Sequence, residues 1–272
     1  MQLSVNAYDL EGVPIDTLAD MGWNAARRDV TSATEARAVI LQHAAVGMGL
    51  NLLVNLPPSL VVPVAVNVAM EAHDAGSRRR IAVEIGNEWD IDYSPSEASD
   101  AWSRVASMTS GLDITLVTGG ISSLSDTALD WLARALPKPP WWQDLVCGFH
   151  AYNGNQPINP TTRRSELSKL HETIGFRSAW NTETGWHQAS KSKDFPLCWQ
   201  KKPGLSEDQV LGNLSTDVAI HLEAGIMVYT VYQLNDGPRD TPIDRFGIRA
   251  YDGRWKRQAF LPTWTAAARR SR

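Results

Sequence analysis

The chain has 272 residues, 43% hydrophobic and 21% charged, with a formal net charge of -4. That balance can bury a sizeable core and excludes a disordered chain. It offers no basic field for nucleic acid and no polybasic membrane patch, and no run approaches the roughly 20 apolar residues of a membrane span.

The N-terminus, MQLSVNAYDLEGVP, has no basic start and no long apolar stretch, so no signal peptide is expected. This puts the protein in the cytoplasm, or on a non-classical export route, unless a leader has been removed. Strand-like LSVNAYDL precedes a short helix around PIDTLADMGW, and NAARRDV precedes ATEARAVILQHAAVGMG, whose apolar residues have helical spacing. LNLLVNL leads to VPVAVNVAMEAHDAG, IAVEIGNE to SEASDAWSRVASMTSG, and ITLVTGG to SDTALDWLARAL. LVCGFHAYN leads to RRSELSKLHETIG, SAWNTETGW to SEDQVLGNLSTDVAIHLEAG, and IMVYTVYQLND to a last helix near QAFLPTWTAAARR. Gly22, Gly49, Gly76, Gly111, Gly175 and Gly225 read as helix stops.

The strands are continuous apolar runs, so both faces are covered, as in a parallel sheet. Eight βα units in this length predict a (β/α)8 TIM barrel, an α/β fold, as a single domain over residues 1–272. A doubly wound open sheet is the competing layout, but AYDLEGVPID lacks its Gly-rich first turn. The two cysteines, Cys147 and Cys198, read as free thiols.

Reactive groups of such barrels sit at the C-terminal strand ends. Those ends carry Arg27, Arg28 and Asp29; Asn55; Asn87 and Glu88; His150 and Tyr152; Glu183 and Trp186; and Tyr232. The set lacks clustered His or Cys and a Gly-rich phosphate cradle, so no metal and no cofactor is expected. Two carboxylates at the ends of strands 4 and 7 are the pair that glycosidic cleavage needs. Glu88 would give the proton, its acid form favoured by burial and nearby negative charge, and Glu183 would attack with cationic or hydrogen-bond support from Arg27 and Tyr152. Alternation lets only one of Arg27 and Arg28 face the axis, and Arg27 is preferred; Glu84 shares Glu88's parity and reads as a buried structural acid. Asp29 reads as a loop cap. Of the 11 Trp residues, Trp89, Trp186 and Trp180 read as sugar platforms, and Trp23, Trp141 and Trp142 as packing.

EIGNEWD resembles the Asn-Glu signature of the clan A glycoside hydrolases, retaining enzymes built on (β/α)8 barrels. The resemblance implies Glu88 as acid/base, Glu183 as nucleophile and Asn87 as the ligand of the neighbouring sugar hydroxyl. MGWNAARRDV, GFHAYN and FGIRAYDGRWKRQAF resemble that clan's strand 2, strand 6 and closing segments, which brings in Arg27, His150 and Tyr152. Trp89 stands where the clan often has Pro, and Tyr232 where many members have Trp. The implied function is retaining hydrolysis of a β-linked oligo- or polysaccharide by a monomer, with no nucleic acid or membrane partner. The alternatives are a transglycosylase using the same residues and a non-catalytic carbohydrate-binding barrel.

Overall fold

The computed structural model describes residues 1–7, 13–75, 81–137, 145–153, 156–175, 177–186, 188, 204–236 and 246–263. Cys198, Trp141, Trp142, Gly76 and the end of the expected last helix lie outside them. The apolar runs become strands β1 (Gln2–Asn6), β2 (Ala25–Asp29), β3 (Gly49–Val54), β4 (Ile81–Ile85), β5 (Thr115–Thr118), β6 (Leu145–His150), β7 (Ala179–Thr184) and β8 (Val228–Tyr232). β3 and β4 are buried at every position, as strands covered on both faces must be. Each strand pairs in parallel with its sequence neighbours, and β8 pairs with β1 to close the barrel.

The helices are α1 (Ile15–Asp20), α2 (Ala33–Val46), α3 (Pro58–Asp74), α4 (Trp89–Asp92), α5 (Pro95–Met108), α6 (Asp126–Ala135), α7 (Pro160–Ile174) and α8 (Glu207–Glu223). A 3₁₀ turn, Arg257–Phe260, follows near the end. Side-chain caps fix five starts: Ser32, Ser94, Ser125, Asn159 and Ser206 each accept from a first-turn backbone N–H. Each such cap contributes about 1 kcal/mol. The one-turn α4 is an addition to the expected pattern. Gly49 is not a helix stop: α2 ends at Gly47, which takes the left-handed conformation at φ 71°, and Gly49 opens β3.

Register separates the two faces of the barrel wall. Asn6 pairs with Arg27 and Arg27 with Asn51, while Asp29 pairs with Leu53 and Leu53 with Glu84. These residues share the inner face. The alternate residues Val5, Ala26, Leu52, Val83 and Ile85 join the apolar layer between strands and helices. No helix among the described residues is long and apolar enough to cross a membrane.

Candidate active site

The barrel interior is charged at its centre. Arg27 is fully buried and grips Glu84 with two hydrogen bonds, Nε to Oε2 at 2.7 Å and Nη2 to Oε1 at 2.9 Å. Asn51 Nδ2 and the Gly120 N–H also donate to Glu84, at 2.6 and 3.3 Å. A buried charge is tolerated when paired and fully hydrogen-bonded, and Glu84 meets both conditions. Arg27 thereby becomes a fixed platform. Its Nη2 donates to Asn87 Oδ1 at 2.8 Å and its Nη1 pairs with Glu183 Oε1. With its oxygen engaged, Asn87 has its amide nitrogen left to donate to a ligand.

Glu183 is 7% exposed. Besides Arg27 it accepts from Asn6 Nδ2 at 3.2 Å and from the Tyr152 hydroxyl at 2.7 Å. These donors come from β1, β2 and the end of β6, and converge on the end of β7. A register irregularity between Asn181 and Thr184 re-aims that end. Glu88 lies just past β4 in the left-handed conformation, φ 49°, and its side chain is 33% exposed. A non-glycine residue held there signals a local constraint. Here the Glu88 N–H is fixed to the Gly120 carbonyl at 2.8 Å, across to the β5 loop.

His150 links the two acids. Its Nδ1 stands 2.8 Å from Glu88 Oε1 and 3.9 Å from Glu183 Oε2. Those two oxygens therefore lie no more than about 6.7 Å apart, close enough to admit the roughly 5–5.5 Å carboxyl separation of retaining glycosidases. Burial disfavours the His150 imidazolium, but Glu183 and Glu88 outweigh it and hold its pKa above the ordinary value. For Glu88, burial pushes the pKa up, while the hydrogen bond and charge of His150 and the charge of Arg27 pull harder, so the net shift is downward. This corrects the expectation of a raised Glu88. The sequence shows the burial but not a cation in contact with the carboxylate.

The ring needs the space that glycine leaves. A Cβ on Gly120 would sit 2.4 Å from His150 Nε2 and 2.6 Å from its Cδ2.

The aromatic platforms differ from the expectation. Trp89 is 3% exposed, donates to the Leu56 carbonyl at 3.2 Å and stacks on Trp102 with ring centroids 5.8 Å apart. Trp186 is 1% exposed and donates to the Gln156 carbonyl at 2.7 Å. Both indoles are satisfied within the core, and neither is a sugar platform. Trp180 lies near the N-terminal end of β7, away from the strand ends that carry the acids. The aromatic wall is instead half-buried Tyr152 and Tyr232 with Phe246, edge to face at 5.6 to 6.1 Å. The Tyr232–Gln233 peptide is cis. Asn55 is exposed beyond β3 and takes no part in the network. Asn6, Asn51, Gly120 and Phe246 were not singled out by sequence reasoning. For Asn6 and Asn51 a signal existed: an Asn at an inward position of a buried strand.

A second buried ion pair fastens the rim. Lys256 Nζ meets Asp236 at 2.7 Å and Gln188 Oε1 at 2.8 Å, which ties the loops after β7 and β8 to the closing segment.

No protein-family model and no curated protein matches the sequence. Solved structures do match over nearly the whole chain. A β-1,3-glucanosyltransferase from Rhizomucor miehei, an active-site mutant bound to laminaritriose, superposes with a TM-score of 0.68 at 13% identity, covering 94% of this chain and 96% of that one. The catalytic domain of a mannanase from Streptomyces sp. SirexAA-E gives 0.67 at 13% identity, covering 95% and 82%. A family 128 endo-β-1,3-glucanase from Amycolatopsis mediterranei, bound to laminaritriose, gives 0.66 at 19% identity, covering 98% and 99%. The fold is theirs: a closed (β/α)8 barrel.

Proposed function

We propose that this barrel is a retaining glycoside hydrolase acting on a β-linked oligo- or polysaccharide, with Glu183 as nucleophile and Glu88 as acid/base. The observation that carries the proposal is the pair of carboxylates at the ends of β4 and β7, both within reach of one imidazole nitrogen. Glu183 has three donors, Arg27, Asn6 and Tyr152, which fix its carboxylate in one orientation for attack. In the first step a Glu183 oxygen bonds to the anomeric carbon as the glycosidic C–O bond breaks and Glu88 protonates the leaving oxygen. In the second, Glu88 takes a proton from water, the water oxygen bonds to the anomeric carbon and the bond to Glu183 breaks.

The proton for the first step is stored on the His150–Glu88 pair. In the open site the raised imidazole and the lowered carboxyl both favour the imidazolium–carboxylate form of the pair. A sugar that covers the site excludes water, which disfavours the charged pair and moves the proton to Glu88, against the leaving oxygen. Asn87 would donate to the hydroxyl beside the reacting carbon.

The likeness in fold to β-1,3-glucan- and mannan-active barrels puts β-1,3-glucans and β-mannans first among substrates to try. A glucanosyltransferase among them makes transfer to a sugar acceptor the second reading, with the same residues and a sugar hydroxyl in place of water. The test is turnover of a β-glucan, β-mannan and aryl β-glycoside panel by wild type, Glu183→Gln and Glu88→Ala. Glu183→Gln should lose nearly all activity on every substrate, and Glu88→Ala should spare the first step only for the best leaving groups. Natural glycan turnover above a few per cent in both variants rejects the assignment. Wild type that binds glycans and cleaves none supports the non-catalytic barrel.

A further inference from the structure

Resting on that reading, we propose that Asp29 is a sugar-binding residue of the site, hydrogen-bonding hydroxyls of the glycone unit held against Glu183. Asp29 ends β2, two residues beyond Arg27 and on the same inner face, in register with Leu53 of β3. The ordinary role for an Asp before a helix is to cap it. That role is already filled. Ser32 accepts from the Glu35 N–H at 3.2 Å, and Glu35 accepts from both the Thr31 N–H and its hydroxyl, at 2.8 and 2.9 Å.

Asp29 is left with a buried carboxyl oxygen, Oδ1, that no donor among the described residues reaches. A native protein rarely strands such an atom unless a ligand or water completes it. Burial pushes its pKa up to about 7, against the pull of Arg27 and with Glu183, Glu84 and Glu35 adding to the rise. It stands two residues beyond Arg27, the ion-pair partner of Glu183, on the same inner face of the barrel. A sugar hydroxyl both donates and accepts, so it suits a carboxyl group that is poised between its two forms.

The experiment starts from Glu183→Gln, titrated calorimetrically with laminaripentaose and mannohexaose, and adds Asp29→Ala or Asp29→Asn. With the tighter-binding sugar, Asp29→Ala should weaken affinity about tenfold or more, the worth of a hydrogen bond to a charged or strongly polar group. Asp29→Asn, which still donates and accepts, should stay within about threefold. Unchanged affinity in Asp29→Ala overturns the inference, and so does a loss in Asp29→Asn as large as that in Asp29→Ala. Turnover by the wild type is read separately. Binding without cleavage would reject the hydrolase proposal and leave the Asp29 titration intact.

Discussion

His150 holds its Nδ1 2.8 Å from Glu88 Oε1, and the contact reverses the usual relation between a buried carboxyl and its pKa. The imidazole is fully buried, is raised by both acids, and lowers Glu88 in return. The pair titrates as one unit. Removing His150 deletes the group whose raised pKa carries the pair's upper titration and leaves Glu88 as the sole carrier of the proton. His150→Asn should therefore move the alkaline limb of the kcat/KM profile to lower pH, with the largest loss on substrates with poor leaving groups. An alkaline limb that stays in place would show that His150 does not share the proton.

Tyr152 donates to Glu183 at 2.7 Å and also carries the edge-to-face contacts with Tyr232 and Phe246. Tyr152→Phe keeps the wall and deletes the donor. It should lower kcat/KM by about tenfold or more, the scale of a hydrogen bond to a charged group, with little change in melting temperature. Wild-type kinetics in this variant would remove Tyr152 from the support of Glu183.

Two glycines make opposite predictions. Gly120→Ala drives a Cβ into the His150 ring and Thr182 Oγ1, so it should cut activity and lower stability together. Gly212 lies inside α8 with nothing within 4 Å of an added Cβ. Gly212→Ala should stabilise the protein by about 0.5–1 kcal/mol and leave turnover alone. Thermal melting beside a standard assay reads both.

The sequence carried the barrel because both-sided burial and the βα rhythm are local properties. Strand alternation let only one of Arg27 and Arg28 face the axis, and the resemblance of the strand 2 segment picked Arg27; the inward, buried Glu84 followed from its parity with Glu88, and Arg27 and Glu84 meet at 2.7 Å inside the barrel. Trp23 is core packing as expected, 1% exposed, but Trp89 and Trp186 were misread as platforms, and for Trp89 the reason is physical. Trp89 follows Glu88 at a strand end, but the left-handed Glu88 and the space above Gly86 turn the indole outward onto Trp102. Such a turn depends on backbone dihedrals that residue order alone does not reveal. The low Glu88 pKa was hidden similarly, since only the closed barrel brings β6 against the β4 loop.

His43 gives a stability prediction away from the site. Burial is the main cause that lowers its pKa to about 4, the Arg28 charge assists, and the Val39 carbonyl opposes. A histidine buried neutral contributes stability that is full above its ordinary 6.5 and is lost as pH falls toward 4. The wild-type melting temperature should drop across that window, and His43→Leu should flatten the drop. An equally steep decline in the variant would assign the acid sensitivity to other groups.

The most direct test of the Glu88–Glu183 pair is the stereochemistry of the first product. Proton NMR during cleavage of a β-linked glycan by the wild type resolves the anomers before they equilibrate. Double displacement through Glu183 gives the β-anomer first, with the α-anomer appearing only as mutarotation proceeds. The α-anomer as the first product would mean a single displacement by water, and would contradict the assignment of Glu183 as nucleophile.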